Sequence, residues 1–80
     1  MTIPLTGMVE IWREVLMVDD VGPRSDFFDL GGHSLAATRI VQRVEEVCGV
    51  RLPVSAVQDH PTPEALTALV AGPRGTGRGR

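Results

Sequence analysis

The sequence predicts an all-α fold: a small four-helix bundle of three main helices and one short helix, with a long loop between helix 1 and helix 2. Two segments repeat apolar residues at the helical period, and a third begins with a strong helix-start signal. No strand signal rises above background. With 80 residues the chain is one small domain, which buries only about 60% of its unfolded surface and leaves little room for an enclosed active site.

Helix 1 is predicted to run from about Gly7 to Met17, with Thr6 as its N-cap. Residues 1–5 contain Pro4 and no periodicity, so we expect a loose lead-in there. Trp12 lies in the middle of the apolar stripe and is expected to be a core residue. The stripe follows the i, i+3, i+4, i+7, i+8 spacing of one helix face: Met8, Ile11, Trp12, Val15 and Leu16.

The loop from Val18 to His33 has neither a helical nor a strand period. Loops longer than about 12 to 15 residues are uncommon in compact domains unless they are functional or disordered. Phe27 is expected to be the deeper anchor of this loop, whereas Asp26 and Asp29 either cap local turns or stay solvated. The loop should be pinned across the bundle, because it contains five large apolar residues: Val18, Val21, Phe27, Phe28 and Leu30.

Helix 2 is predicted to begin at Ser34, or one residue to either side, and to end before Gly49, which suits the left-handed position after a helix. Leu35 points away from its apolar stripe, toward the polar Arg39 and Gln42. These three residues are candidate partner contacts. The stripe spans an arc of about 120° and comprises Ala37, Ile40, Val41, Val44, Val47 and Cys48.

A short third helix is expected within residues 54–59, with Val54 and Val57 facing inward. The residues between Gly49 and this segment alternate between apolar and polar, so a strand is the weaker alternative there.

The last helix has the clearest start signal of the chain. Thr62, Pro63 and Glu64 are typical of an N-cap, a first-turn proline and an acidic first turn. Leu66, Leu69 and Val70 supply an inner face. Residues 72–80 contain nothing to bury, so we expect a folded domain over residues 6–71 and a disordered tail after it.

The formal charge of −2 is unevenly distributed along the chain. Residues 1–71 hold five arginines against ten carboxylates, a balance of −5, whereas the tail adds three arginines. An acidic domain without a basic patch or an aromatic platform is not expected to bind nucleic acid, because phosphate contacts need clustered cations. The charge fits protein partners with basic docking surfaces.

Cysteine content and hydropathy argue against several other classes of protein, namely disulfide-bonded, thiolate-metal, membrane and secreted proteins. The single cysteine, Cys48, excludes an internal disulfide and a multi-thiolate metal site, and its place on the apolar stripe predicts a buried structural thiol. The apolar runs are far shorter than the roughly 20 residues that span a bilayer, and no signal peptide is recognisable. We therefore expect a cytoplasmic protein with no membrane partner.

Ser34 is the candidate functional residue, because it lies at the junction of the long loop and helix 2. The first N–H groups of a helix lack intrahelical partners, and the helix dipole is positive there, so a phosphate ester on the serine oxygen would be stabilised. Gly31 and Gly32 precede it, which allows a sharp turn and the close approach of a bulky partner. On these residues alone, an N-capping serine is the simpler interpretation.

The surrounding string is more specific. Residues 26–35, DFFDLGGHSL, resemble the attachment motif of carrier domains, in particular the peptidyl carrier proteins, or thiolation domains, of nonribosomal peptide synthesis. The resemblance extends from WREVL at 12–16 through VDDVG at 18–22 to PTPEAL at 61–66. His33 is more typical of peptidyl carriers than of fatty-acid acyl carriers. Ala36 departs from the larger apolar residue that is usual at this position.

The resemblance implies an acyl-carrier-protein-like fold over residues 6–71 and a 4′-phosphopantetheine arm, derived from coenzyme A, on Ser34. Gly31, Gly32 and His33 are then the motif residues through which a partner approaches. The implied protein is a non-catalytic monomer without catalytic residues or a metal site of its own. Its partners are a phosphopantetheinyl transferase, an adenylation enzyme or domain, and condensation, tailoring or thioesterase enzymes. Met1 and the arginine-rich end hint at a free-standing protein, and a domain excised from a longer synthetase stays open as the alternative.

Three alternatives remain open at this point. The first is an acyl or aryl carrier of a polyketide or related pathway, and the second is an unmodified helical interaction module. The third, a serine hydrolase, is disfavoured because His33 and Ser34 diverge by about 100° at a helix start. The other histidine, His60, lies in a turn before Pro61, and the chain has no Gly-x-Ser-x-Gly elbow.

Overall fold

A computed structural model of the chain describes residues 3–71 and contains four helices in the order α1 (Leu5–Leu16), α2 (Ser34–Cys48), α3 (Ser55–Asp59) and α4 (Pro63–Ala71). α1 packs against α2 and α4, and α3 packs against α2. The described residues contain no strand, so the all-α prediction is confirmed and the strand alternative after Gly49 is wrong. The predicted tail, residues 72–80, lies outside the described residues. Within 3–71, no helix is long and apolar enough to cross a membrane.

α1 begins two residues earlier than its pattern predicts. Its N-cap is Pro4, in extended conformation with φ −72° and ψ 159°, and the carbonyl of Pro4 accepts a hydrogen bond of 3.0 Å from the N–H of Met8. Thr6 therefore lies inside the first turn, and its prediction as the N-cap is wrong. A proline is suited to this place because its ring fixes φ and because the first N–H groups of a helix lack intrahelical partners.

The segment before α1 belongs to the folded unit. Ile3 is 4% exposed and lies in the main hydrophobic core. Its side chain lies over Gly7, because a Cβ built at position 7 would come within 3.2 Å of Ile3 Cγ1. The expectation of a loose lead-in over residues 1–5 is therefore wrong for Ile3 and for Leu5, which is already helical. A single residue outside a helix has no period, so the sequence pattern gives no signal of its burial.

The centre of the core is an aromatic pair. Trp12 and Phe27 are both fully buried, and their rings meet edge to face, with centroids 5.7 Å apart and an interplanar angle of 81°. Phe28 is 54% exposed, so the predictions that Trp12 is a core residue and Phe27 the deeper anchor are confirmed. Trp12 Nε1 is buried without a hydrogen-bond partner. Apolar packing alone therefore holds this side chain in place.

α2 has the predicted bounds and ends before Gly49, whose φ of 76° is left-handed as expected. Its buried face differs from the predicted stripe at two positions, and the first is Val47, which is 47% exposed. Val47 lies at the edge of the arc in the last helical turn, and the helical period does not show how far the neighbouring helices cover α2 along its length. Ala36, outside the predicted stripe, is 6% exposed and belongs to the core.

α3 and α4 follow their predicted signals. Val57 is fully buried and Val54 half-buried, as expected for the inward face of a short helix. Thr62 caps α4, because its Oγ1 accepts a hydrogen bond of 3.1 Å from the N–H of Ala65. Leu66 is fully buried in the same core.

Trp12→Ala is expected to lower the free energy of unfolding by about 3 to 5 kcal/mol, because it removes the largest buried side chain and leaves a cavity against Phe27. Urea denaturation followed by circular dichroism measures this loss. Phe28→Ala is the matched aromatic control and should change stability far less, since Phe28 is 54% exposed. Equal free energies of unfolding for Trp12→Ala and the wild type would contradict this assignment of the core.

Candidate modification site

Ser34 occupies the first position of α2 with its side chain exposed. The N-cap is His33, in extended conformation with φ −149° and ψ −178°, and its side chain makes no capping hydrogen bond. Its carbonyl accepts the first bond of the helix, 2.9 Å from the N–H of Ala37. The interpretation of Ser34 as an N-cap is therefore wrong. Ser34 lies in the first turn of α2, whose N–H groups receive no hydrogen bond from the side chain of the N-cap residue.

The two glycines before Ser34 have different structural roles. Gly31 adopts a φ of +86°, and a Cβ built there would have no atom within 4 Å, so this residue makes the turn and leaves open space beside it. A Cβ on Gly32 would lie 2.5 Å from the Cε1 and Cζ atoms of Phe27. The sequence motif predicts one role, partner approach, for both glycines. The structure shows a further role for Gly32: the absence of a side chain there leaves room for the Phe27 ring.

Backbone hydrogen bonds fix the position of Phe27 in addition to the packing of its ring. Its N–H donates to the carbonyl of Pro61 at 2.6 Å, and its carbonyl accepts a bond of 2.9 Å from the N–H of Gly32. Another backbone hydrogen bond joins the long loop to the start of α4, where the N–H of Glu64 donates to the carbonyl of Pro23 at 2.9 Å. The connection between α3 and α4 therefore fixes the loop that leads to Ser34.

Asp26 forms the local turn that precedes the glycines. Its Oδ1 accepts hydrogen bonds from the N–H groups of Phe28 at 2.8 Å and Asp29 at 3.1 Å. Of the two alternatives stated for the aspartates, turn capping applies to Asp26, and Asp29 is exposed. A carboxylate used in this way stabilises the loop conformation.

The predicted partner contacts share one surface of α2. Leu35 is 58% exposed, which confirms that it points away from the core, and Arg39 and Gln42 are also exposed. Together with Glu14 and Val15 of α1, they line a groove between α1 and α2. The contribution of α1 to this groove has no signal in the sequence, because the helical period does not show which helices become neighbours.

Ion pairs surround this groove. Arg43 bridges the two helices, with one guanidinium nitrogen 3.2 Å from Glu14 and another 3.9 Å from Glu46. All three side chains are substantially exposed, so the pairs contribute little stability.

Cys48 lies outside the site: it is buried, and its thiol donates to the carbonyl of Val44 at 3.2 Å, as expected for a structural cysteine. Among residues 3–71 no cluster of His, Cys, Asp or Glu could hold a metal ion.

Comparison with known proteins gives a family match. The family profile described as "Phosphopantetheine attachment site" matches residues 7–70. Tyrocidine synthase 3 of Brevibacillus parabrevis is 45% identical over 64 residues, which cover 80% of this chain and 1% of that protein. The chain therefore spans a very small part of this much longer relative.

Two solved structures share the fold. BlmI, a type-II acyl carrier protein from Streptomyces verticillus involved in bleomycin biosynthesis, gives a TM-score of 0.79 at 36% identity, covering 82% of this chain and 80% of that chain. The structure of the phosphopantetheine transferase Sfp with coenzyme A and a peptidyl carrier protein contains a chain with a TM-score of 0.81 at 34% identity. That match covers 89% of this chain and 92% of the other. The predicted acyl-carrier-protein-like fold is confirmed.

Gly32→Ala is expected to lower stability by about 1 to 3 kcal/mol, because the new methyl group would overlap the Phe27 ring. Thermal melting measures the effect. Gly22→Ala is the matched control, since its Cβ would meet only Ser25 Oγ at 3.8 Å, an ordinary contact distance. Equal melting temperatures for the two variants would show that the ring does not require glycine at position 32.

Proposed function

Because the chain belongs to the phosphopantetheine attachment-site family, we propose that Ser34 carries a 4′-phosphopantetheine arm and that the domain is a peptidyl carrier of nonribosomal peptide biosynthesis. The observation that carries this proposal is the exposed Ser34 at the first position of α2, within the family motif. The match to a tyrocidine synthase favours a peptidyl carrier over the polyketide alternative and over an unmodified interaction module.

The residues around Ser34 fit a phosphodiester. No capping side chain from His33 competes for the first-turn N–H groups of α2, so these groups can donate to phosphate oxygens. The open space beside Gly31 leaves room for the approach of a large donor. When attached, phosphopantetheine supplies a thiol that holds an aminoacyl or peptidyl group as a thioester. The domain then tethers this group near the enzymes that use it, at a high effective concentration.

In the proposed modification, the Ser34 hydroxyl oxygen attacks the phosphorus of coenzyme A that bears the pantetheine. A new P–O bond forms to Ser34, the phosphoanhydride bond breaks, and adenosine bisphosphate leaves. The hydroxyl proton passes to a base of the transferase, and the metal ion that clamps the phosphates also belongs to that enzyme. This chain contributes the nucleophilic oxygen and its orientation, so its role is that of a non-catalytic substrate.

The remaining partners follow from the same proposal. An adenylation enzyme or domain would load the arm, and condensation, tailoring or thioesterase enzymes would act on the thioester. Leu35, Arg39 and Gln42 line the surface next to Ser34, and we assign them to partner contact. A single apolar side chain among polar neighbours is suited to a small, transient interface.

Ser34→Ala is expected to fold and to remain unmodified, whereas the wild type gains one phosphopantetheinyl group on incubation with coenzyme A and a broad-specificity transferase. Intact-protein mass spectrometry measures the gain. Ser55→Ala is the matched control, since Ser55 is also an exposed serine at the first position of a helix, and this variant should be modified fully. Modification of Ser34→Ala would refute the assignment.

Leu35→Ala is expected to keep its melting temperature within a few degrees, because the side chain is 58% exposed. Transfer to Ser34 should slow roughly tenfold, which corresponds to about 1.4 kcal/mol of lost transition-state stabilisation. Val47→Ala is the control: this side chain is also exposed on α2, but at its other end, and its loss should leave the rate unchanged. A core-like loss of stability in Leu35→Ala, or wild-type transfer rates, would remove Leu35 from the interface.

A further inference from the structure

α1 and α2 end in the same backbone conformation with different residues. Both helices are followed by a residue in the left-handed region, Gly49 with φ 76° after α2 and Met17 with φ 58° after α1. Among residues 3–71, Met17 is the one non-glycine residue with positive φ. A side chain at this position crowds the backbone, and glycine avoids that strain. α1 therefore ends with a residue that the backbone does not favour.

Core packing does not explain this methionine. Its side chain is 89% exposed, the highest value among the exposed large apolar residues of the described chain. The end of α1 is closed by backbone bonds alone, from the N–H groups of Met17 and Val18 to the carbonyl of Arg13. Met17 is a non-glycine residue in a left-handed conformation, and it is also a large apolar side chain that is exposed to solvent. A residue with both features is a candidate for a function other than folding.

The neighbours of Met17 point to that function. Met17 shares a cleft with residues of the loop and of α2 on both sides of Ser34. Its lining includes two exposed apolar side chains, Met17 and Leu35. We name it the Met17 cleft and define it by the residues that line it: Val15, Leu16, Met17, Gly31, His33, Leu35, Ala36 and Arg39.

Arg39 is the one arginine among the described residues that line the cleft. The described chain contains five arginines, and Arg39 is the one without a carboxylate within ion-pair distance. The other four pair with glutamates of this chain at 2.7 to 3.6 Å. The cleft therefore combines exposed apolar side chains with an unpaired guanidinium, which is complementary to an apolar side chain next to a carboxylate.

The position of the cleft selects the partner. The enzyme that forms a bond to the Ser34 oxygen must bring its active site against the start of α2, and Gly31 and Leu35 of the cleft flank that residue. Enzymes that act on the thiol at the far end of a long flexible arm have no such constraint. The Met17 cleft is thus placed for the transferase.

We propose that the Met17 cleft receives the phosphopantetheinyl transferase, which inserts an apolar side chain between Met17 and Leu35 and pairs a carboxylate with Arg39. This inference rests on the proposed function and adds Met17 and the partner's acidic group to it. It gives a physical reason for an exposed methionine in a left-handed conformation: the side chain serves the interface, while the backbone alone would favour glycine.

Met17→Gly tests the proposal, because stability and docking should change in opposite directions. The melting temperature should stay equal to that of the wild type or rise, since glycine relieves the left-handed strain. In steady-state assays with coenzyme A and a broad-specificity phosphopantetheinyl transferase, KM for the carrier should rise roughly fivefold with kcat unchanged, as expected when a docking contact is lost. Val47→Ala removes an exposed apolar side chain elsewhere and should leave KM unchanged.

Charge reversal tests the acidic group of the partner. Arg39→Glu should raise KM at least as much as Met17→Gly, and added salt should reduce the difference from the wild type. Arg51→Glu is the matched control, because Arg51 is exposed and lies outside the cleft. It changes the net charge equally and should have a small effect.

The outcomes separate this inference from the proposed function. A wild-type chain that gains no phosphopantetheinyl mass overturns both. A wild-type chain that is modified, with an unchanged KM in Met17→Gly or equal effects of Arg39→Glu and Arg51→Glu, overturns the cleft and leaves the carrier function intact. A melting temperature of Met17→Gly well below that of the wild type also overturns it, because Met17 would then have a structural role.

Discussion

The position of Ser34 depends on the ring of Phe27. One neighbour of this ring is Trp12 of α1, which it meets edge to face, and another is Gly32, where any side chain would overlap it. The backbone of Phe27 is hydrogen-bonded to that of Pro61, before α4, and to that of Gly32, before α2. A single buried residue in the loop therefore fixes the start of α2 relative to α1 and to the connection between α3 and α4. The loop is long, but its end at Ser34 is held firmly.

This arrangement separates folding from function along α2. The face that contains Ala37, Ile40 and Val44 is fully buried and supports the bundle. Ser34 and Leu35 are exposed and contribute little to the core. Because surface substitutions usually change stability by less than about 0.5 kcal/mol, the residues proposed for partner contact can vary without loss of the fold. A carrier that must present one hydroxyl to a separate enzyme benefits from such a separation.

The sequence predicted those parts of the fold that have a period or a local signal. The bounds of α2, the cap at Thr62 and the burial of Trp12 follow from helical spacing and helix-start chemistry. Burial that depends on a distant contact has no such signal, as with Ile3 over Gly7. For the same reason the pattern misplaced Val47, whose exposure depends on where the neighbouring helices end. Motif resemblance singled out Ser34 as the candidate modification site, but it could not show that Gly31 and Gly32 have different structural roles.

The surroundings of Ser34 depart from the most stable local choices in a way that suits the proposed function. α4 begins with a capping threonine at Thr62, whereas α2 begins with His33, whose side chain makes no capping bond. A capping side chain there would occupy N–H groups that a phosphodiester on Ser34 could use. Similarly, the left-handed residue that follows α2 is Gly49, whereas the one that follows α1 is Met17. Both departures leave a group available beside the serine: N–H donors in one case, an apolar contact surface in the other. Under the proposed modification and the proposed docking, each choice that is unfavourable for the isolated helix is compensated when the phosphate or the partner binds.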